Sequence, residues 1–84
     1  MKYTAFVKRD CETCQLVVPA LQELAHHAEL VVLSQDDPSF PEAMGGAGDD
    51  RELEHSFRAG ITTVPTLIAY ADDDQETART EGWD

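Results

Sequence analysis

Two cysteines, Cys11 and Cys14, are the only ones in the chain, and two residues separate them. A pair at this spacing has three uses. It closes and opens a disulfide, it gives two thiolates to a metal, or it sits in a fold without chemistry. Placement separates these better than spacing does. Cys11 follows an apolar run and precedes a helical pattern. A thiol at a strand-to-helix junction meets free N–H groups and the positive end of the helix dipole, which stabilise a thiolate. Cys14 lies one turn further in, within reach of a small disulfide ring. That order suits thiol–disulfide exchange, in which the outer thiolate attacks, a mixed disulfide forms and the inner thiol resolves it. A zinc site needs two more ligands. His26 and His27 are expected at the far end of the helix, about 20 Å away by its rise per residue. They and His55 read as ordinary surface residues.

The elements that must hold the pair follow from periodicity. Residues 2–7, Lys-Tyr-Thr-Ala-Phe-Val, are rich in β-branched and aromatic types and predict a first strand. Residues 12–28 predict a helix, with Leu16 or Val17, Ala20 or Leu21, Leu24 and Ala28 at three- and four-residue spacing. Pro19 lies inside that pattern and should bend it. Leu30-Val31-Val32-Leu33 is wholly apolar and predicts a buried strand parallel to the first. Residues 35–48, with two prolines, predict a long loop that is mobile at Gly45-Gly46-Ala47-Gly48. The glycine-rich stretch lacks the Lys-Ser/Thr of a phosphate loop. Asp49 and Glu52 have capping-box spacing ahead of a second helix at roughly 50–59, which sets Leu53 and Phe57 on one inward face and stops at Gly60. Pro65 cannot donate to a sheet ladder, so the next strand is expected at 66–71. Asp72-Asp73-Asp74 is a turn, and residues 75–81 return as a polar edge strand. Tyr3, Phe6, Phe57, Leu67 and Tyr70 are expected in or beside the core.

Composition narrows the function. The chain has 84 residues, 42% of them apolar, which suits one domain spanning 1–84 with one core. Seventeen acidic residues face six basic ones, for a net charge of −11. Nucleic acid and anionic membranes both need clustered Lys and Arg, so neither is an expected partner. No stretch approaches the ~18 consecutive apolar residues of a membrane span, and no secretory leader precedes Cys11. A cytoplasmic protein is the expectation. Lys2, Lys8 and Arg9 form the one basic segment, and it leads directly into the cysteines.

Taken in order, several motifs resemble the thioredoxin superfamily over nearly the whole chain. A strand leads into Cys11-Glu12-Thr13-Cys14 at a helix start. Pro19 stands where thioredoxins carry a helix-bending proline. Gly60-Ile61-Thr62-Thr63-Val64-Pro65-Thr66 looks like the family's loop before the third strand, and Gly82 follows the last hairpin strand. The resemblance implies a thioredoxin-like α/β fold, order β-α-β-α-β-β, with helices packed on a four-stranded mixed sheet. It implies a cis Pro65 beside the cysteines, with Val64, Pro65 and Thr66 shaping a groove where a substrate's extended chain pairs with Val64. Cys11 would be the nucleophile and Cys14 the resolving thiol.

Two departures matter. Thioredoxins often hold a buried acid six residues before the first cysteine, and Ala5 stands there. Proton transfer at Cys14 therefore needs another group or water. The Glu-Thr dipeptide is unlike the Gly-Pro or Pro-Tyr of familiar members. Asp10 and Glu12 oppose a thiolate at Cys11, whereas Lys8 and Arg9 favour it.

The short N-terminus looks like glutaredoxin. So do Thr63-Val64-Pro65 and Lys8, which stands where glutaredoxins bind a glutathione carboxylate. Pro65-Thr66 looks more like thioredoxin, and the glutaredoxin glycine pair is reduced to Gly82-Trp83-Asp84. The favoured reading is a thiol–disulfide oxidoreductase reducing protein or small-molecule disulfides, with no cofactor and no metal. An upstream reductase or glutathione would restore the dithiol. The alternatives are a non-catalytic docking module, a glutathione-dependent enzyme and a metal–thiolate domain. Both branches of the family end in a further helix. This chain stops near its expected start, which suggests an excised domain, or a homodimer that shields Trp83.

Overall fold

The computed structural model describes residues 2–82. Trp83, whose shielding was an expectation, lies outside them. The element order is β1 (Lys2–Val7), α1 (Glu12–Leu16), α2 (Val18–His27), β2 (Glu29–Ser34), a single 3-10 turn (Glu42–Met44), β3 (Gly48–Asp49), α3 (Glu54–Ala59), β4 (Thr66–Tyr70) and β5 (Glu76–Glu81). The strands form one mixed sheet in the order β3-β2-β1-β4-β5. β1 lies at its centre, parallel to β2 and antiparallel to β4, with Ala5 opposite Val32 on one side and Leu67 on the other.

The sheet therefore has five strands rather than four, and β3 falls between β2 and α3 in the chain. It was hidden because it spans two residues, Gly48 and Asp49, paired in parallel with Leu33 and Ser34. Two residues are too few to show an alternating pattern, and one of them has no side chain. The expected single helix over 12–28 is likewise two helices. Pro19 has no N–H for the carbonyl of Gln15, and its ring crowds that carbonyl. The helix breaks at Val17 and restarts with Pro19 in its first turn.

One face of the sheet meets α1 and α2. Ala5, Val7, Cys14, Val17, Leu21, Val32 and Phe40 form the continuous core there. Burying these apolar groups is the main favourable term in folding the domain. Phe6 and Ile68 are buried on the opposite face. That face is less completely covered. Val31 is 51% exposed, so the apolar run 30–33 is not the wholly buried strand its composition predicts.

The segment 35–50 is tied down rather than loose. Phe40 and Pro41 are buried under α2's side of the sheet. The Phe40–Pro41 and Val64–Pro65 peptide bonds are both cis. Gly46 has φ +91, and a Cβ there would meet the Pro38 carbonyl oxygen at 2.7 Å, so only glycine fits. Arg9, two residues beyond the end of β1, anchors the segment. Its Nε donates to Asp37 at 2.6 Å, its Nη2 donates to Ser39 and Glu42, and its guanidinium lies 5.4 Å from the Phe40 ring centroid.

The second predicted helix is shorter and turned differently from expectation. Its N-cap residue is Leu53, and Asp50, not Asp49, supplies the carboxylate for its first turn. The buried Asp50 carboxylate accepts the N–H groups of His55 and Ser56 and the Ser56 hydroxyl. Asp49 instead pairs with Arg51. Ser56 is the residue that faces inward, whereas Leu53 and Phe57 face solvent. Phe57 is thus not a core residue.

Candidate active site: the cleft at Cys11

Cys11 is the N-cap of α1, in extended backbone conformation. The geometry follows from what precedes it. β1 ends at Val7, and the chain turns so that the Cys11 N–H donates to the Arg9 carbonyl at 2.8 Å. The turn is held from outside as well. Asp36, just beyond β2, accepts the N–H groups of Arg9 at 2.7 Å and Asp10 at 3.0 Å. Burial pushes the Asp36 carboxyl up, but those two N–H groups, the Ser34 hydroxyl and the Lys8 charge together hold the group below its usual range. Gln15 adds a clamp from inside the helix, its Nε2 donating to the Arg9 carbonyl.

The two cysteines are placed unequally. Cys11 is partly exposed, and its Sγ accepts the Cys14 N–H at 3.2 Å. On its other side Cys11 Sγ lies 3.8 Å from the Val64 carbonyl oxygen. Cys14 is fully buried in the core beneath α1. Burial above all pushes the Cys14 thiol up from its ordinary 9.0 to about 12; the hydrogen bond with Cys11 adds to this, and a bond from the Lys8 backbone partly offsets it. The negative charge of Asp36 acts in the same direction as burial. At neutral pH the outer sulfur is accessible and the inner one is a protonated thiol.

A cleft of about 550 Å³ opens at Cys11. Of the residues expected to bind substrate, Lys8 and Val64 line it. Pro65 and Thr66 do not. Both are buried, and the Thr66 hydroxyl donates to the Thr63 carbonyl at 2.8 Å, so this pair braces the loop behind Val64. The Gly82 N–H closes the brace from the end of β5, donating to the Pro65 carbonyl at 3.0 Å.

Leu53, Phe57 and Ile61 form another part of the cleft wall. Sequence reasoning missed this wall. Leu53 and Phe57 stand four residues apart, which reads as a core stripe. The signal against that reading was the pair Asp50 and Ser56, a capping acid and a small hydroxyl that fix the other face inward.

The histidines do not approach the cysteines as a set. His26 and His27 end α2, and His27 pairs with Glu23. Among the described residues, no three His, Cys, Asp or Glu side chains converge as a metal site would require. No helix among them is long and apolar enough to cross a membrane.

Comparison with known proteins supports the architecture. No family model and no curated protein matches the sequence. The structure is similar to that of thioredoxin 1 from the thermophilic eubacterium Thermosipho africanus TCF52B, with TM-score 0.63 over 98% of this chain and 78% of that one. Sequence identity is 24%, so the likeness speaks for the fold alone. The fold is thioredoxin-like, and a Cys-x-x-Cys pair stands at the head of its first helix.

Proposed function

We propose that the protein is a thiol–disulfide oxidoreductase that reduces disulfides of proteins or small molecules. One observation carries the reading. Cys11 opens onto a cleft while Cys14 lies buried one turn behind it, with its N–H on the Cys11 sulfur at 3.2 Å. The chemistry follows from that inequality. The Cys11 thiolate attacks one sulfur of the substrate disulfide, and the other sulfur leaves as a thiolate. The Cys14 N–H stays on the reacting sulfur. Cys14 then gives up its proton and attacks Cys11 Sγ, closing the protein disulfide and releasing the second thiol. Starting from the Cys11 thiolate and the Cys14 thiol, the protein passes two electrons and one proton to the substrate.

Deprotonating a thiol raised to about 12 is the demanding step. Ala5 supplies no acid–base group beneath it. The departing substrate thiolate is itself a base and lies next to the reacting pair, so it is the natural acceptor for the Cys14 proton, directly or through water. Val64 and Lys8 contact the substrate, and Pro65 and Thr66 hold the Val64 loop in place. An upstream dithiol reductase or glutathione returns the pair to its reduced state. Such a cycle needs a reducing compartment, which agrees with the cytoplasm.

Insulin reduction coupled to excess dithiol tests this reading. Turnover that disappears in Cys11→Ser is expected. A protein that forms no Cys11–Cys14 disulfide and gives no turnover would instead be a docking module with the same fold.

A further inference from the structure

One carboxylate links the end of β2 to the turn that carries Cys11. The Gln35 N–H, just past β2, still donates to the Val7 carbonyl at 2.9 Å. One residue further on, the contact passes to a side chain. Asp36 Oδ1 accepts the Arg9 N–H at 2.7 Å, and Oδ2 accepts the Asp10 N–H at 3.0 Å. Two successive N–H groups aimed at one point form a concavity that favours an anion. Here the chain supplies the anion itself. The carboxylate is held from behind as well. The hydroxyl of Ser34, a fully buried residue, donates to Oδ1 at 3.4 Å and accepts the Asp37 N–H at 3.2 Å.

The consequence lies across one peptide plane. The Asp10 N–H and the Arg9 carbonyl belong to the same planar unit and point in opposite directions. Asp36 holds the N–H side. The carbonyl side accepts the Cys11 N–H at 2.8 Å and Gln15 Nε2 at 2.8 Å. Turning that plane would release both sides together. With the plane fixed, Cys11 stands at the head of α1, and its sulfur meets the Cys14 N–H at 3.2 Å. Asp36 is poorly suited to take the Cys14 proton itself. Burial pushes its carboxyl up, but three hydrogen bonds and the Lys8 charge hold it below the usual range, which makes it a weak base.

We propose that Asp36 is a positioning residue of the exchange: by gripping the Arg9–Asp10 peptide from the end of β2, it holds the Cys11 sulfur in reach of Cys14 and so favours the closed disulfide. The inference rests on the thiol–disulfide reading above and names what sets that equilibrium. Without the grip, closing the disulfide must also order the turn, and that cost weakens the disulfide against the dithiol. The charge acts in the same sense. Burial does most to push the Cys14 thiol up, and the Asp36 charge adds to it. The disulfide carries no charge for Asp36 to oppose, so the anion disfavours only the ionised dithiol.

The test measures the oxidation constant of the pair against glutathione, with acid quench, alkylation and thiol counting by mass. Each oxidation converts one protein dithiol and one glutathione disulfide to one protein disulfide and two glutathione thiols. Asp36→Ala removes both acceptor oxygens and the charge. It should lower the constant about tenfold at neutral pH, which is about 30 mV upward in potential. Asp36→Asn keeps one acceptor oxygen and should lower it about threefold. Both deficits should widen near pH ~9, where thiolate is present and the missing charge is felt. Urea unfolding of the oxidised and the reduced form closes the same cycle. Asp36→Ala should destabilise the disulfide form more than the dithiol form, whereas a merely structural residue would weaken both alike. Equal losses in the two forms, with an unchanged oxidation constant, would overturn the proposal and leave the exchange reading standing. If Asp36→Ala does not fold, an unchanged constant in Asp36→Asn at both pH values overturns it instead. An unaltered protein that forms no Cys11–Cys14 disulfide would overturn both.

Discussion

The two walls of the cleft are built by different physics. The Cys11 wall hangs on the sheet. β1 lies at the sheet's centre, α1 starts directly from it, and Cys14 is sealed into the apolar core. The α3 wall hangs on a polar knot instead. Asp50, Ser56 and Gln35 are joined by hydrogen bonds, and the apolar side chains point away from the interior. One wall buries its apolar groups and exposes a single sulfur. The other buries its polar groups and exposes a phenyl ring. The cysteine pair is thereby tied to the central strand and the core, and the exposed ring to a helix held by hydrogen bonds.

This contrast breaks if the cysteines prove equivalent. The largest expected effect is therefore at the sulfurs. Cys11→Ser should lower disulfide reduction by more than about a thousandfold, as loss of a nucleophile does. Cys14→Ser should instead trap one substrate thiol per protein as a mixed disulfide on Cys11, seen as an added mass. Equal trapping on either single-cysteine variant would erase the distinction between an accessible and a buried thiol.

The polar knot is sharpened by Asp50→Ala. This change leaves one buried and one part-buried N–H group and a buried hydroxyl without their acceptor, and should cost about 2–4 kcal/mol in urea unfolding. Loss within experimental error would mean that α3 is held by something other than Asp50. A smaller effect comes from alkali. The folded-state value of Cys14 lies above its unfolded value, so the reduced protein's stability contribution from this group is intact below pH 9 and declines as pH rises toward about 12. Unfolding of reduced protein and of Cys14→Ser, compared across that range, should show the steeper decline in the former. Smallest of all, Phe57→Ser should shift stability by no more than about 0.5 kcal/mol, since the ring is in water already. A large loss would mean that the ring is covered in solution.

The same contrast explains what could be read in the sequence. The Cys11 wall was legible because each signal was local and agreed with the next. A β-branched run, a cysteine pair at a helix start, a bending Pro19 and the Val64-Pro65-Thr66 stretch all lie where the structure has them. The segment from Gln35 to Phe57 was not legible in the same way. Its order comes from Arg9, some thirty residues earlier, reaching Asp37, Ser39 and Glu42, and no local pattern announces a contact at that distance. β3 is too short to have a period. The inward face of α3 was misread because a Leu–Phe pair outweighs an Asp–Ser pair in any hydrophobic pattern. Yet the buried hydrogen bonds of Asp50 decided the helix's orientation. Thr66 shows a milder version: its place at the start of β4 was legible, but that its hydroxyl turns back to the Thr63 carbonyl was not.

The central claim is that Cys11 and Cys14 form a reversible two-electron couple. The most direct test equilibrates the protein with glutathione buffers of graded ratio, traps free thiols and counts them by mass. The account predicts that both thiols disappear together, in one transition with two-electron slope, at a potential of about −200 mV or below as expected for a reductant. Independent titration of the two cysteines, or a protein that keeps both thiols free under oxidising buffers, would contradict it.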